Sequence, residues 1–287
     1  MNHQLQNPNL QVSRSESGLT LIDTHCHIHE SDYPLPIDDV LKRASEAGVT
    51  KMLVVGTSEK SSEDAVQFAS KHPDTFATIG VHPHDTKDGW EKIRDLLAKS
   101  ESLVEVDKRS TNNHIPIANN KIVAVGEIGL DYFYDHSPRD VQIKALESQI
   151  QTAVDNNLPI VFHVREAFDD FWPIFDKFHG LKGVLHSFTD SQENLEKAFE
   201  RGLFVGVNGI STFTKSSEQQ KMYANIPIER MLLETDAPFL APASYRGSTN
   251  EPAYVVEVAR HHAELRGIDV DELARVTTRN AERLFGL

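Results

Sequence analysis

Apolar residues in this chain fall into short, nearly unbroken runs, separated by longer stretches where they recur every third or fourth position. The runs are LTLIDTH (19–25), KMLVVGT (51–57), FATIGVHP (76–83), IVAVGEIGL (122–130), LPIVFHV (158–164), GVLHSF (183–188), LFVGVNG (203–209) and MLLETD (231–236). Rich in Val and Ile, they have the pattern of strands covered on both faces. Between them, PIDDVLKRASEAG, SSEDAVQFASKHP and PRDVQIKALESQIQTAVDNN carry the spacing of amphipathic helices. In the last of these, Pro138 stands near the start and an Asn-Asn pair near the end, as helix limits should. Strands alternating with helices imply parallel βαβ units, and eight of them predict a closed (β/α)8 TIM barrel. An open doubly wound sheet would gather its polar residues at one crevice. Here they punctuate the ends of many strands, which favours the barrel.

The same pattern sets the domain organisation. Residues 19–287 are expected to form a single domain, a length that barrels commonly reach. The first eighteen residues, MNHQLQNPNLQVSRSESG, are polar and have no apolar core of a signal peptide, so a loose disordered tail is expected there. DKRSTNNHIPIANN (107–120) is expected to be a polar surface loop.

Composition narrows the setting. The 287 residues include one cysteine, Cys26, which excludes an internal disulfide and suits a reducing, cytoplasmic compartment. No apolar stretch is long enough to cross a bilayer. The net charge of −14 argues against broad adhesion to nucleic acid, which depends on Lys and Arg at phosphates. It leaves room for an enzyme that meets phosphates with metal ions and a few local cations. A monomer without an obligate protein partner is the simplest expectation.

The chemistry lies at the C-terminal strand ends, the face where barrel active sites sit. The first strand ends in Asp23, His25 and His27, and the third in GVHPH with His82 and His84. The fourth brings Glu127, the fifth His163, the sixth His186, and the eighth Glu234 and Asp236. Taken singly, each has an ordinary explanation: a satisfied loop histidine, a salt-bridged glutamate, an aspartate capping a helix. Gathered on one rim they would carry a heavy desolvation cost unless they shared a task. Imidazole nitrogens and carboxylate oxygens together suit Zn, Mn or similar divalent ions. Two such ions, bridged by a carboxylate, would hold a hydroxide and polarise the bond being cut.

Glu127, on the fourth strand, is placed to bridge. His25, His27, Asp236 and Glu127 could hold one ion, and Glu127, His163 and His186 the second. Asp236, as a carboxylate beside an activated water, is the candidate general base. Asp23 is expected to orient the site from behind the ligands. Cys26 should face the helical layer, away from its histidine neighbours. The aromatics of EAFDDFWPIFDKFHG (166–180) have helical spacing and are expected in the core rather than on a base-stacking surface, while Phe239 could serve either.

The ordered series LIDTHCHIH, GVHPH, GEIGLDY, PIVFHVREA, LHSFTDS, LLETDAPFLAP, NEPAYVVEVA and TTRNAERLFGL resembles the TatD family of metal-dependent deoxyribonucleases. That family lies within the amidohydrolase-like superfamily of TIM barrels. The resemblance runs from about residue 19 to the C-terminus. It implies a two-metal hydrolase (Zn, Mg or Mn) of DNA phosphodiester bonds, with exonuclease activity. It carries over to His25, His27, Glu127, His163, His186 and Asp236 as metal ligands, with Glu127 and Asp236 catalytic. It also points to His82 as a contact to the phosphate or a further metal. Arg246 remains a candidate phosphate contact in RGSTN (246–250), where the family often carries more cations. Two rivals stand beside this reading. One is a related hydrolase of a small-molecule amide, ester or lactone, and the other a non-catalytic barrel.

Overall fold

The computed structural model describes residues 18–98, 121–134 and 136–287. The 107–120 loop, and all of the expected tail except Gly18, lie outside the described residues. Every run predicted as a strand coincides with one: β1 (Leu21–Cys26), β2 (Val49–Val55), β3 (Thr75–Ile79), β4 (Ile122–Asp131), β5 (Ile160–Arg165), β6 (Gly183–Leu185), β7 (Phe204–Val207) and β8 (Met231–Leu233). They pair in parallel and in chain order within one sheet. Just beyond β8, Ala237 forms a parallel bridge to Cys26. Asp236 N–H donates to the His25 carbonyl at 2.8 Å and His27 N–H to the Ala237 carbonyl at 2.7 Å. The sheet thereby returns to its first strand, and the fold is the expected (β/α)8 barrel.

Helices α1 (Ile37–Glu46), α2 (Glu59–Lys71), α3 (Arg139–Asp155), α4 (Phe168–Phe175), α5 (Gln192–Glu200), α6 (Ser217–Asn225), α7 (Val255–Arg266) and α8 (Val270–Phe285) surround it. Local chemistry sets several of their ends. The Ser58 hydroxyl accepts from Ser61 N–H at 3.1 Å to cap α2, and the Asp269 carboxylate accepts from Asp271 N–H at 2.7 Å to cap α8. Gly267, at φ 63, ends α7 in the left-handed conformation that glycine adopts most easily. Among the described residues, no helix is long and apolar enough to cross a membrane.

Two apolar layers hold the barrel. The larger lies between sheet and helices and includes Cys26, Val54, Ile128 and Phe162 with Leu146, Phe171 and Trp172. Phe168, Phe171, Trp172 and Phe175 are all buried, as their spacing predicted. Cys26 is fully buried there, facing the helical layer as expected, with its thiol 3.4 Å from the Leu53 carbonyl. The smaller layer takes Ile22, Leu53, Phe76, Val123, Val161, Val184, Phe204 and Leu232, one from each strand, and is closed by Leu284 and Phe285 of α8. It seals one end of the barrel and leaves the C-terminal strand ends to the polar residues.

Candidate metal centre

The strands are irregular where the functional side chains leave them. Between Asp23 and Cys26 the pairing of β1 with β2 slips, so strict alternation does not carry Asp23, His25 and His27 through as one row. A second slip falls between Val125 and Ile128 of β4, around the cis peptide Gly126–Glu127. Gly129 lets β4 and β5 approach closely, since a Cβ there would stand 1.7 Å from the His163 carbonyl oxygen. Gly206 makes room for a buried carboxylate, because its Cβ would meet Glu234 Oε2 at 2.2 Å. β6 and β8 stop earlier than their apolar runs suggest. The chain past them turns through Ser187 (φ 47) and Asp236 (φ 60), both left-handed, and so presents His186 and Asp236 to the rim.

Glu127 is the hub. Its Oε1 lies 2.8 Å from both His163 Nδ1 and His186 Nε2, and 3.6 Å from His82 Nε2. Its Oε2 faces the other way, 3.4 Å from His25 Nε2. On that side Asp236 Oδ1 lies 3.3 Å from His27 Nε2 and 3.6 Å from His25 Nε2. The described residues contain three overlapping triads that could hold a metal ion: His25–His27–Asp236, His25–Glu127–His186 and His82–Glu127–His163. All six residues expected to ligate therefore converge. His186 stands nearer His25 than a simple division into two sets suggested, their rings stacked at 4.0 Å. His82, expected at the phosphate or a further metal, stands inside the cluster.

The donor chemistry fits divalent cations. A carbonyl only accepts, so the 2.9 Å contact of His27 Nδ1 with the Val55 carbonyl puts the proton on Nδ1. His27 Nε2 then carries a lone pair, yet it faces Asp236 and lies 3.2 Å from His25 Nε2. His163 repeats the arrangement, donating from Nε2 to Asp131 Oδ2 at 2.9 Å while Nδ1 faces Glu127. Lone pairs and carboxylate oxygens at these distances repel unless positive charge lies among them. Burial pushes Glu127 up, but His186, His82 and His163 outweigh it and hold the carboxyl well below the usual range. Burial lowers His186 in turn, and Glu127 reverses this and lifts the imidazole well above its ordinary value. Without metal, protons on imidazole would have to supply the charge that cations supply better.

Asp131 has a part that sequence reasoning missed. Its Oδ2 accepts from His163 Nε2 and, at 3.0 Å, from His84 Nε2, which orients His163 as such carboxylates orient metal-binding histidines. Its place in GEIGLDY at the end of β4 was the available signal. Glu234 lies behind His186, its Oε1 held by Ser187 N–H at 2.6 Å and standing 3.6 Å from His186 Nδ1, beyond hydrogen-bond reach. Asp23 also works from behind, although it touches neither imidazole ring. Its oxygens accept from the Thr235 N–H (2.9 Å), the Thr235 hydroxyl (2.5 Å) and the His25 N–H (3.3 Å), tying β1 to the segment after β8. Arg246 is exposed on the loop beyond β8, its guanidinium 4.1 Å from the Phe213 ring centre. Phe239 proves to be a surface residue, 60% exposed, with its ring 6.4 Å from that of His27.

A barrel whose C-terminal rim gathers imidazoles around a shared carboxylate defines a TIM-barrel metal-dependent hydrolase. The family model described as "TatD related DNase" matches residues 22–286, and the chain belongs to that family. It is 35% identical over 267 residues to the metal-dependent hydrolase YabD of Bacillus subtilis, covering 92% of this chain and 98% of the relative. It is also 35% identical over 275 residues to the "3'-5' ssDNA/RNA exonuclease TatD" of Erwinia tasmaniensis, covering 93% of this chain and all (100%) of that one. Among solved structures, the TatD homologue YJJV of Escherichia coli superposes with a TM-score of 0.80 at 29% identity, over 93% of this chain and 98% of that one.

Proposed function

We propose that the chain is a single-domain deoxyribonuclease, 19–287, that hydrolyses phosphodiester bonds with two divalent cations, working as an exonuclease. One observation carries the reading: the two oxygens of Glu127 face two different groups of imidazoles, as a bridging carboxylate should. His25, His27 and Asp236 would hold one cation, and His163 and His186 the other, with Glu127 shared. When bound, the cations supply Lewis acidity and a water acidic enough to lose its proton near neutral pH.

The chain's own residues do the rest. Asp236 is the general base, and its side chain, at 14% exposure against 4% for Glu127, can pass the proton on to solvent. Asp131 holds His163 in the orientation that ligation needs, and Glu234 adds negative charge behind His186. His82 and Arg246 are our candidates to contact the phosphate. Nucleic acid as substrate draws support from the printed activity of the Erwinia relative. The single buried thiol suits a reducing compartment such as the cytoplasm, and we read the protein as a monomer.

The test is metal content per chain together with cleavage of end-labelled DNA before and after chelation, for wild type and Glu127→Ala. About two ions in the wild type are expected. The variant should hold fewer and lose cleavage. Full cleavage after metal removal, or turnover of a lactone or amide with none of DNA, would overturn the proposal.

A further inference from the structure

The large apolar side chains that stay exposed among the described residues are Phe133, Tyr134, Val154, Phe239 and Leu265. The aromatic ones all lie on loops at the C-terminal strand ends. Phe133 (48% exposed) and Tyr134 (42%) follow β4, and Phe239 follows β8. They stand on the same rim as the metal centre, with Tyr134 also stacked on the His136 ring at 5.5 Å and edge to face with His84 at 5.4 Å.

The pair after β4 has further structure. The Arg165 guanidinium, from the end of β5, lies 3.9 Å from the Phe133 ring centre and 5.0 Å from that of Tyr134. The two rings meet edge to face at 4.6 Å. Arg139 lies similarly over Tyr132, at 4.1 Å. Among the described residues no carboxylate pairs with Arg165 or Arg139, although the chain carries 43 acidic residues.

This loop is fastened directly to the metal centre. Asp131 Oδ1 accepts from Phe133 N–H at 3.0 Å and Tyr134 N–H at 3.1 Å, while Oδ2 holds His163. One carboxylate thus ties a candidate ligand to the backbone that carries the two exposed rings.

We propose that Phe133, Tyr134 and Arg165 form a stacking step for an unpaired base of a single strand whose phosphodiester lies at the metal centre. Phe239 offers a second step on the His27 side. Nucleobases stack on aromatic and guanidinium planes whatever their identity, and an unpaired arginine beside the rings serves the neighbouring phosphate. A base within a duplex has no free face to offer, so the step selects single strands without reading sequence. In a chain of net charge −14, such local cation–aromatic contacts supply attraction that the overall charge does not. The inference rests on the reading that this centre cleaves nucleic acid.

The experiment uses the metal-loaded full chain and single-stranded oligonucleotides in which one abasic residue is walked along the strand. Wild type is expected to show KM raised about tenfold when the gap falls at one position near the cleaved linkage, with kcat little changed. The double variant Phe133→Ala, Tyr134→Ala should show the raised KM on intact strands and no further sensitivity to the gap. Phe133→Trp alone should retain the wild-type profile, which separates stacking from loop damage. Cleavage by wild type with the same abasic profile in the double variant would overturn the stacking step and leave the proposed function standing. Absence of nucleic-acid cleavage by loaded wild type would remove the proposed function itself, and the step with it.

Discussion

The two ends of this barrel are made by the same eight strands and have opposite chemistry. At one end Ile22, Val123, Val161, Phe204 and Leu232 meet Leu284 and Phe285 in an apolar layer. At the other, His25 and Glu127 are buried just as deeply, at 0% and 3% exposure, among further imidazoles and carboxylates. Burial at the first end releases water from apolar surface and stabilises the fold. Burial at the second desolvates charge, which costs stability and is sustained by cations or protons in the cluster. The barrel thus separates a stabilising end from a reactive one that the rest of the fold must support.

The largest expected effects come from exchanging damage between the ends. Glu127→Ala should abolish metal-dependent cleavage and also weaken the metal-free protein toward urea, because the imidazoles packed against its carboxylate lose their counter-charge. Phe285→Ala should affect stability alone. It empties space in the sealing layer and should cost about 3–5 kcal/mol, with kcat/KM unchanged at temperatures where the variant remains folded. Urea titration of metal-free protein and a cleavage assay on both variants measure the two effects. If Phe285→Ala lowered kcat/KM as Glu127→Ala does, the proposed division of labour would be wrong.

A more moderate effect probes the support behind the ligands. Asp131→Asn keeps the shape of the residue but weakens its grip on His163, and about a 10–100-fold loss of metal affinity is expected. Competition with a chromophoric chelator reads this directly. Unchanged affinity would mean that β5 alone orients His163.

These residues also show how far the chain could be read without coordinates. The eight apolar runs located the strands because parallel strands covered on both faces are continuously apolar, a signal carried within each segment. His25, His27, Glu127, His163, His186 and Asp236 were legible because strand ends of a barrel share one rim, so order along the chain implied nearness in space. Asp131 was not, since its importance lies in contacts with His163, His84 and two backbone N–H groups that only the folded chain brings together. The bulges in β1 and β4 were hidden for a related reason: register belongs to a pair of strands, and neither sequence alone specifies it. The close approaches at Gly129 and Gly206 are set by His163 and Glu234, residues of other segments that only the fold brings alongside.

The smallest effect sharpens the comparison through pH. Beside the metal centre, the hydrogen bond with His29 draws Glu30 down to about 2, against burial and with help from Ser61 and His27. Burial pushes Asp131 up, but His163 and His84 outweigh it and hold its carboxyl well below the usual carboxylate range. Both carboxylates ionise more readily folded than unfolded. Their contribution is therefore fully present above the unfolded carboxylate range, near pH 4–4.5, and is lost as pH falls toward the depressed folded values. The sealing layer holds no titrating side chain, so Phe285→Ala should lower stability equally at pH 7 and pH 4. Glu30→Gln should destabilise at pH 7 and converge on wild type as the acid limb is descended, because both chains then carry a neutral group at that position. Half-exposure of Glu30 keeps the expected difference small, within about 1 kcal/mol. Urea titrations of the three proteins across that range measure it, and a pH-dependent penalty for Phe285→Ala would show that acid sensitivity is spread through the barrel rather than confined to its reactive end.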